Sequence, residues 1–291
     1  MEYRRFLDSS EDVGVIGLGV EHLRESPSDV VCAVACAGFG RGVNYVDLVW
    51  SLPSIVMGVS AAIQTVSHRI YTAIHLGSGI RNAKYYRTRK PDECKKYFLE
   101  VLEKLPSNVI PIINIHYVNK LKDWRKYSRP GEVLDTAIEL KEEGHGRYIA
   151  VSTHSVELLS ELAEHPSVNS VMFQVNMANH TLAGRDEALK RCETHGKRVV
   201  AMKPYAGGRL LKTGMNTKVL GYMRAGKSIE FNVPGHLSSH KCLSYTLDQI
   251  GVCCAVSGAS KVDEIEDSLD YFEASDTEYR RELDEILEQI K

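Results

Sequence analysis

The feature that most constrains this fold is a regular alternation of short apolar segments, rich in β-branched residues, with longer amphipathic segments. Eight apolar segments of strand length recur along the 291 residues, and most of the intervals between them carry helical periodicity. Strands that alternate with helices pair in parallel through βαβ units. Eight such units predict an α/β fold of the TIM-barrel type, a closed (β/α)8 barrel.

The predicted strands span residues 13–18, 43–49, 69–76, 109–116, 147–152, 170–175, 198–203 and 251–256. The predicted helices span residues 28–37, 54–65, 91–104, 131–143, 155–164, 185–194, 238–249 and 262–274. A last amphipathic segment, 276–290, predicts an extra helix at the carboxyl terminus. One barrel of this kind uses about 250 residues, so we expect a single domain over residues 1–291.

Composition argues against several classes of partner. Lys and Arg number 36 against 38 Asp and Glu, and neither sign dominates a long segment, so we expect no nucleic-acid partner. No run of about 18 apolar residues occurs, which argues against a membrane partner. The seven cysteines form no C-x-x-C pair. We therefore expect a reduced, cytoplasmic protein without an iron–sulfur cluster.

Polar side chains stand at the ends of three successive predicted strands, where barrels of this type carry their active sites. These are Asp47, His75 and His116. Neighbouring strands lie about 4.8 Å apart, so the three side chains can surround one small molecule. A hydrogen-bonded histidine of the rim or core is the alternative for either histidine taken alone. The coincidence on adjacent strands favours a catalytic site.

Two glycine-rich segments, 202–208 and 256–261, follow the seventh and eighth predicted strands. Backbone N–H groups in such loops, together with a following helix N-terminus, favour phosphate. Tight turns with a surface lysine are the alternative. The residues expected to contribute are Lys203, Gly207, Gly258, Ser260 and Lys261.

Two further segments lie on the same predicted rim. Residues 81–90 carry six arginines, lysines and asparagines, which either form a solvated loop or indicate an acidic small-molecule substrate. The solvated loop is the commoner explanation. Residues 209–236 lack a clear element and hold several glycines, which is typical of a lid over a barrel active site.

Motifs in the same order along the chain resemble those of the aldo-keto reductases. They are Gly17-Leu-Gly19, Gly42-Val-Asn-Tyr-Val-Asp47, His116, Tyr148-Ile-Ala-Val-Ser152-Thr-His154, Phe173-Gln174-Val-Asn176, Met202-Lys-Pro-Tyr-Ala-Gly-Gly208 and Ser257-Gly-Ala-Ser260. The resemblance covers nearly the whole chain. It implies an oxidoreductase that transfers hydride between NADP or NAD and a carbonyl or hydroxyl group on a small molecule.

The resemblance also implies a departure at the catalytic residues. The family uses an aspartate, a tyrosine, a lysine and a histidine, of which Asp47 and His116 are kept. Leu52 stands at the tyrosine position and His75 at the lysine position. Leucine cannot give a proton, so His116 or His75 is expected to supply it. Strand alternation is expected to point Tyr45 and Tyr117 away from the lumen.

Cofactor positions are implied in the same way. Ser152, Thr153 and Gln174 match the residues that hold the nicotinamide amide. Ser260 and Lys261 match the loop that holds the adenosine phosphate, where nearby Glu264 would repel a 2′-phosphate, so NADH is as plausible as NADPH. The resemblance is strongest to a bacterial and archaeal branch whose members frequently carry a ferredoxin-like tail, and this chain is expected to lack that tail.

Two other functions remain open at this level. Asp47, His75 and His116 could form an acid–base set for a lyase or isomerase, or a metal site with two histidines and one carboxylate. Their spacing matches no local metal motif, so no metal is the preferred expectation. A catalytically inactive homologue that binds nucleotide is the third hypothesis.

Overall fold

A computed structural model describes residues 1–7, 12–212, 217–220, 230–233, 237–273 and 286–287. It confirms the barrel, because eight parallel strands pair in chain order and close on themselves. The strands are β1 (Ile16–Gly19), β2 (Tyr45–Leu48), β3 (Ile70–Leu76), β4 (Val109–Ile115), β5 (Tyr148–Thr153), β6 (Ser170–Gln174), β7 (Arg198–Met202) and β8 (Val252–Gly258).

The described residues also form nine α-helices around the barrel. They are α1 (Ser28–Gly40), α2 (Pro53–Ile63), α3 (Pro91–Leu102), α4 (Leu121–Tyr127), α5 (Val133–Glu142), α6 (Val156–Glu164), α7 (Arg185–Thr194), α8 (Ser239–Leu247) and α9 (Val262–Leu269). The short α4 was not predicted. None of these helices is long and apolar enough to cross a bilayer.

Two predicted segments are described only in part. The predicted carboxyl-terminal helix, 276–290, lies outside the described residues except for residues 286 and 287. Within the predicted lid, 209–236, the described backbone forms an antiparallel hairpin of Thr217–Leu220 and Glu230–Val233. The single domain expected over residues 1–291 stays a prediction.

An amino-terminal hairpin closes one end of the barrel. Tyr3–Arg5 pairs antiparallel with Asp12–Gly14, so the predicted first strand, 13–18, is divided between this hairpin and β1. Phe6 lies 1% exposed at the foot of the lumen and packs edge-on against Tyr45, Tyr71 and Tyr148. Burying such a side chain contributes about 2 kcal/mol. Side chains therefore fill this end of the lumen, and any site lies at the other end.

The position of Tyr45 corrects a prediction. Tyr45 was expected to point out of the lumen, but it belongs to the core that fills the barrel interior. The reason is the two-residue period of a strand, which places Tyr45 on the same face as Asp47. Tyr45 nonetheless lies among the lumen side chains below the rim, packed on Phe6.

A second hairpin, here called the rim hairpin, follows β3 and consists of Ser78–Arg81 paired with Lys84–Arg87. Its two turn residues, Asn82 and Ala83, have φ values of 52° and 59°, as a tight two-residue hairpin turn requires. Sequence reasoning treated this segment as part of a charged loop. Because side chains alternate along a strand, Tyr85 and Arg87 share one face of the hairpin, and Lys84 and Tyr86 share the other.

Candidate active site

Strand register brings the three predicted catalytic residues to adjacent positions at the open end of the barrel. Asp47 on β2 is level with Ala73 on β3, two residues before His75. His75 is level with Asn114 on β4, two residues before His116. Each step of two residues keeps the side chain on the inward face. Around one side of the lumen, His75 therefore lies two residues closer to the open end of the barrel than Asp47, and His116 two residues closer than His75.

These side chains form a hydrogen-bonded series that ends on a tyrosine. Asp47 Oδ1 lies 2.7 Å from His75 Nε2, and His75 Nδ1 lies 2.7 Å from His116 Nδ1. His116 Nε2 in turn lies 2.7 Å from the hydroxyl oxygen of Tyr85. The side-chain amide of Asn114 lies 3.1 Å from His75 Nε2, on the side of the lumen below the relay, and presents its oxygen to that ring when Nε2 carries a proton. The series, called the relay below, connects a buried carboxylate to a phenol at the rim.

Tyr85 comes from the rim hairpin rather than from a barrel strand. Its ring packs edge-on against Trp50, with the ring centroids 4.7 Å apart. The Trp50 indole N–H donates to the carbonyl oxygen of Glu21 at 3.2 Å, which fixes the indole between two loops. The phenol is thus held against His116 by packing as well as by its hydrogen bond.

Burial shifts the pKa values of His116 and Tyr85 in opposite directions, and each shift favours the neutral form. Burial, followed by the charges of His75, Arg89 and Arg87, holds the pKa of His116 well below its ordinary value, so this imidazole is neutral. Burial raises the pKa of Tyr85, while Arg87 and Arg89 oppose that rise. The phenol therefore keeps its proton at neutral pH.

Hydrogen bonds from Arg89 hold the backbone beside the relay in place. The Arg89 guanidinium donates to the carbonyl oxygens of His116 and Tyr117. Tyr117 has a left-handed φ of 51°, which turns its ring into the open end of the barrel beside His154. The prediction that Tyr117 points away from the lumen is therefore wrong, because the strand has ended and its alternation no longer applies.

The open end of the barrel holds a cavity of about 680 Å³, large enough for an extended organic ligand. Tyr85, Arg87 and Trp50 line the cavity near the relay, and Glu21 and Glu264 line it elsewhere. The predicted site residues that line it are Asp47, His75, His116, Ser152, Lys203, Gly207, Gly258, Ser260 and Lys261.

In the part of the cavity formed after β7 and β8, two carboxylates of the chain bind polar groups of the cavity wall. One forms an ion pair with a lysine, and the other accepts hydrogen bonds at a helix N-terminus. Lys203 Nζ lies 2.7 Å from Glu21 Oε2. At the start of α9, the backbone N–H and the hydroxyl of Ser260 both donate to Glu264 Oε2, at 2.7 and 2.8 Å. A carboxylate thus occupies the position at this helix N-terminus where an anion is favoured.

Two predicted cofactor residues, Thr153 and Gln174, do not contribute to the cavity wall. The hydroxyl of Thr153 accepts from the backbone N–H of Ser155 at 3.0 Å, at the start of α6. Gln174 is 1% exposed on the inward face of β6, and neither polar atom of its amide has a hydrogen-bond partner among the described residues. A buried amide without partners is costly, so it marks a place where a polar ligand group would be stabilised.

The geometry bears on the metal hypothesis. His75 uses both ring nitrogens within the relay, so the three side chains form a line rather than converge on one point. In the part of the chain that the structure describes, no group of three or more His, Cys, Asp or Glu side chains is arranged to hold a metal ion.

Sequence reasoning missed Tyr85, Arg87 and Glu21 as residues of the site. Tyr85 and Arg87 lay within the charged segment 81–90, but only the hairpin pairing shows which face they share. The available signal was Asn82 between two short runs that can form strands, since asparagine tolerates the left-handed backbone of a tight turn.

The fold and the site at the carboxyl ends of its strands define a class of protein. The model of the aldo/keto reductase family matches residues 16–288, and the chain belongs to this family of oxidoreductases. The uncharacterized oxidoreductase YqkF of Bacillus subtilis is 24% identical over an alignment that covers 92% of this chain and 90% of that protein.

Solved structures show the same fold. An aldo-keto reductase of Bacillus halodurans, in its holo form, superposes with a TM-score of 0.75 at 19% identity and covers 98% of this chain and 96% of its own. A glycerol dehydrogenase of Gluconobacter oxydans gives a TM-score of 0.70 at 20% identity, with 98% and 94% covered.

Proposed function

We propose that this barrel is an NAD(P)-dependent oxidoreductase that reduces a small carbonyl compound, with Tyr85 as the proton donor. The observation that carries the proposal is the unbroken relay of three 2.7 Å contacts from Asp47 to the Tyr85 hydroxyl. Tyr85 takes the role that the family gives to a tyrosine at the position of Leu52. His75, beside the carboxylate of Asp47, takes the role of the lysine.

The number of N–H groups on each imidazole decides which atom donates in each hydrogen bond of the relay. When His75 carries both ring protons, its Nε2–H donates to Asp47 and its Nδ1–H donates to His116. The Nε2–H of His116 then donates to the Tyr85 oxygen, and the phenol proton is left to face the cavity. In this state the Asp47 carboxylate accepts the Nε2–H of His75 across the 2.7 Å contact.

Proton transfer then runs outward along the relay. The phenol proton moves to the substrate oxygen, and Tyr85 regains a proton from Nε2 of His116. His116 takes a proton at Nδ1 from His75, which ends neutral. One proton leaves the protein, and one positive charge is lost from His75. Because its own pKa is held low, His116 passes protons on without storing one.

The cofactor supplies the hydride when bound, and the chain offers groups suited to hold it. The buried amide of Gln174 offers a donor and an acceptor to a carboxamide, and Ser152 lines the cavity on the neighbouring strand. Lys203, Gly207, Gly258, Ser260 and Lys261 line the cavity and are the other residues that we assign to cofactor binding, whereas Thr153 is buried behind the cavity wall.

NADH is the dinucleotide that the charges favour. Glu264 fills the start of α9 with a carboxylate, and Glu21 neutralises Lys203. A 2′-phosphate would meet repulsion from Glu264 and find a lysine already paired. Fluorescence titration with NADH and with NADPH measures this preference directly. Unchanged fluorescence of both dinucleotides at high micromolar protein would disprove the redox function.

The decisive variant is Tyr85→Phe, which keeps the ring against Trp50 and removes the proton. We expect kcat for carbonyl reduction to fall about 10²- to 10⁴-fold, the usual contribution of a positioned acid. Dinucleotide affinity should stay within about threefold, because no cofactor group is assigned to Tyr85. Tyr86→Phe is the matched control, since Tyr86 lies on the other face of the rim hairpin beneath Arg81. A Tyr85→Phe enzyme with more than a tenth of the wild-type kcat would contradict the assignment.

A further inference from the structure

Arg87 stands at the mouth of the cavity, next to the relay, and the relay itself does not use it. Its guanidinium lies 5.2 Å from the centroid of the Tyr117 ring, an arrangement that supports it from one side. The side chain is exposed and lines the cavity. No carboxylate of the described residues lies within ion-pair distance of Arg87.

Three other cations of residues 81–90 differ in this respect. Arg81 lies 3.1 Å from Glu93, and Lys90 lies 3.5 Å from the same carboxylate. The guanidinium of Arg89 donates to backbone carbonyl oxygens, including those of His116 and Tyr117. Arg87 is therefore the cation of this segment that faces the cavity with its donors available.

The charges at this end of the cavity favour an anion. Arg87 and Arg89 both act electrostatically on Tyr85 and on His116. The nearest carboxylate that lines the cavity at this end, Asp47, is bound to His75. This contrasts with the part of the cavity after β7 and β8, where Glu21 and Glu264 supply negative charge.

Arg87 and Tyr85 are also placed to hold two ends of one small molecule. They are two residues apart on one strand, so their Cα atoms are about 7 Å apart and their side chains extend from the same face. A carbonyl oxygen at the Tyr85 hydroxyl leaves space for a short carbon chain before the guanidinium. A planar guanidinium matches a carboxylate with two parallel hydrogen bonds.

We propose that Arg87 selects the substrate, by binding the carboxylate of a short-chain oxo acid whose carbonyl oxygen faces Tyr85. The product is the corresponding hydroxy acid, in which the carbonyl carbon has gained a hydride and the oxygen has gained the Tyr85 proton. This inference rests on the proposed function for the identity of the reacting group, but the binding of a carboxylate by Arg87 is testable without turnover.

The kinetic test uses ω-oxo carboxylates of two, four and five carbons, each compared with its methyl ester. For the best chain length, we expect the acid to exceed its ester in kcat/KM by about tenfold or more, as for a charge-assisted contact. Arg87→Gln should raise KM for the acid by about tenfold. Any effect of the lost charge on Tyr85 and His116 should be the same for acid and ester, so the ratio of kcat/KM for the acid to that for the ester should fall by about tenfold.

Lys84→Gln is the matched control, because it removes one positive charge from the opposite face of the same strand. It should leave the acid and the ester unchanged. The proposal is overturned if Arg87→Gln affects acid and ester equally, if Lys84→Gln has the same effect as Arg87→Gln, or if the ester is the better substrate.

A binding measurement separates this proposal from the proposed function. Isothermal titration with 4-oxobutanoate, without nucleotide and with NAD⁺ or NADP⁺, follows binding in the absence of reduction. Weaker binding to Arg87→Gln than to the wild type and to Lys84→Gln supports the carboxylate site, even if no carbonyl compound is turned over. Equal binding to all three proteins rejects the site, whatever the enzyme reduces.

Discussion

The polar groups at the two ends of the cavity are paired in different ways. Near the relay, two imidazoles and a phenol are hydrogen-bonded in series. After β7 and β8, Lys203 instead pairs with the carboxylate of Glu21, and Ser260 donates to the carboxylate of Glu264. The first arrangement is suited to moving a proton, and the second to discriminating among anions.

Burial explains much of this difference. His116 is 6% exposed, and burial and its charged neighbours hold its pKa well below the ordinary value. Glu21 and Glu264 lie closer to solvent, where screening weakens each pair. Changes near the relay should therefore alter catalysis and pH dependence strongly, whereas changes after β8 should alter nucleotide preference modestly.

The largest effect is expected from breaking the relay at its centre. His116→Gln keeps a polar side chain near Tyr85 but cannot pass a proton from one ring nitrogen to another. We expect kcat to fall about 10²- to 10³-fold. The solvent deuterium isotope effect on kcat should also become smaller, because fewer protons move together. His154→Gln removes another imidazole of the cavity wall and should lower kcat less than tenfold. Similar losses in both variants would argue against a relay through His116.

A second expectation concerns stability at acid pH. The folded-state pKa of His116 lies well below its ordinary value near 6.5, so below pH 6.5 the unfolded chain binds a proton that the folded protein excludes. The free energy of unfolding should therefore fall as pH falls below about 6.5, by up to about 1.4 kcal/mol per pH unit from this group.

Denaturant unfolding between pH 7.5 and 5.5 measures this slope. His116→Gln should show a shallower slope than the wild type, whereas Glu21→Gln, which breaks a pair near the surface, should keep the wild-type slope. A slope unchanged in His116→Gln would show that other groups set the acid sensitivity.

The smallest effect is expected after β8. Glu264→Gln removes the negative charge at the start of α9 and should strengthen NADPH binding about fivefold, with NADH binding changed less than twofold. Fluorescence titration gives both dissociation constants. Glu266→Gln is the control, because Glu266 is an exposed carboxylate of the same helix that does not line the cavity. An equal change in NADPH affinity in both variants would indicate a general effect of net charge rather than the position of Glu264.

The fold could be predicted because it depends on patterns that repeat along the chain. Eight strand segments and eight of the nine described helices follow from apolar periodicity, and Asp47, His75 and His116 follow from their places at strand ends. The two side-chain orientations that were predicted wrongly lie where the strand alternation ends or was assigned to the wrong face. Tyr117 turns inward through a left-handed backbone after β4, and Tyr45 shares the inward face of Asp47.

By itself, the sequence determined the barrel, the end of the barrel that carries the candidate site and the absence of tyrosine at position 52, since each depends on residue type and local order. Only the tertiary structure decided that Tyr85 meets His116, that Arg87 faces the cavity and that Glu21 neutralises Lys203. Contacts of this kind join segments whose relative placement depends on barrel register and on a hairpin turn, and no local pattern encodes the distance between them.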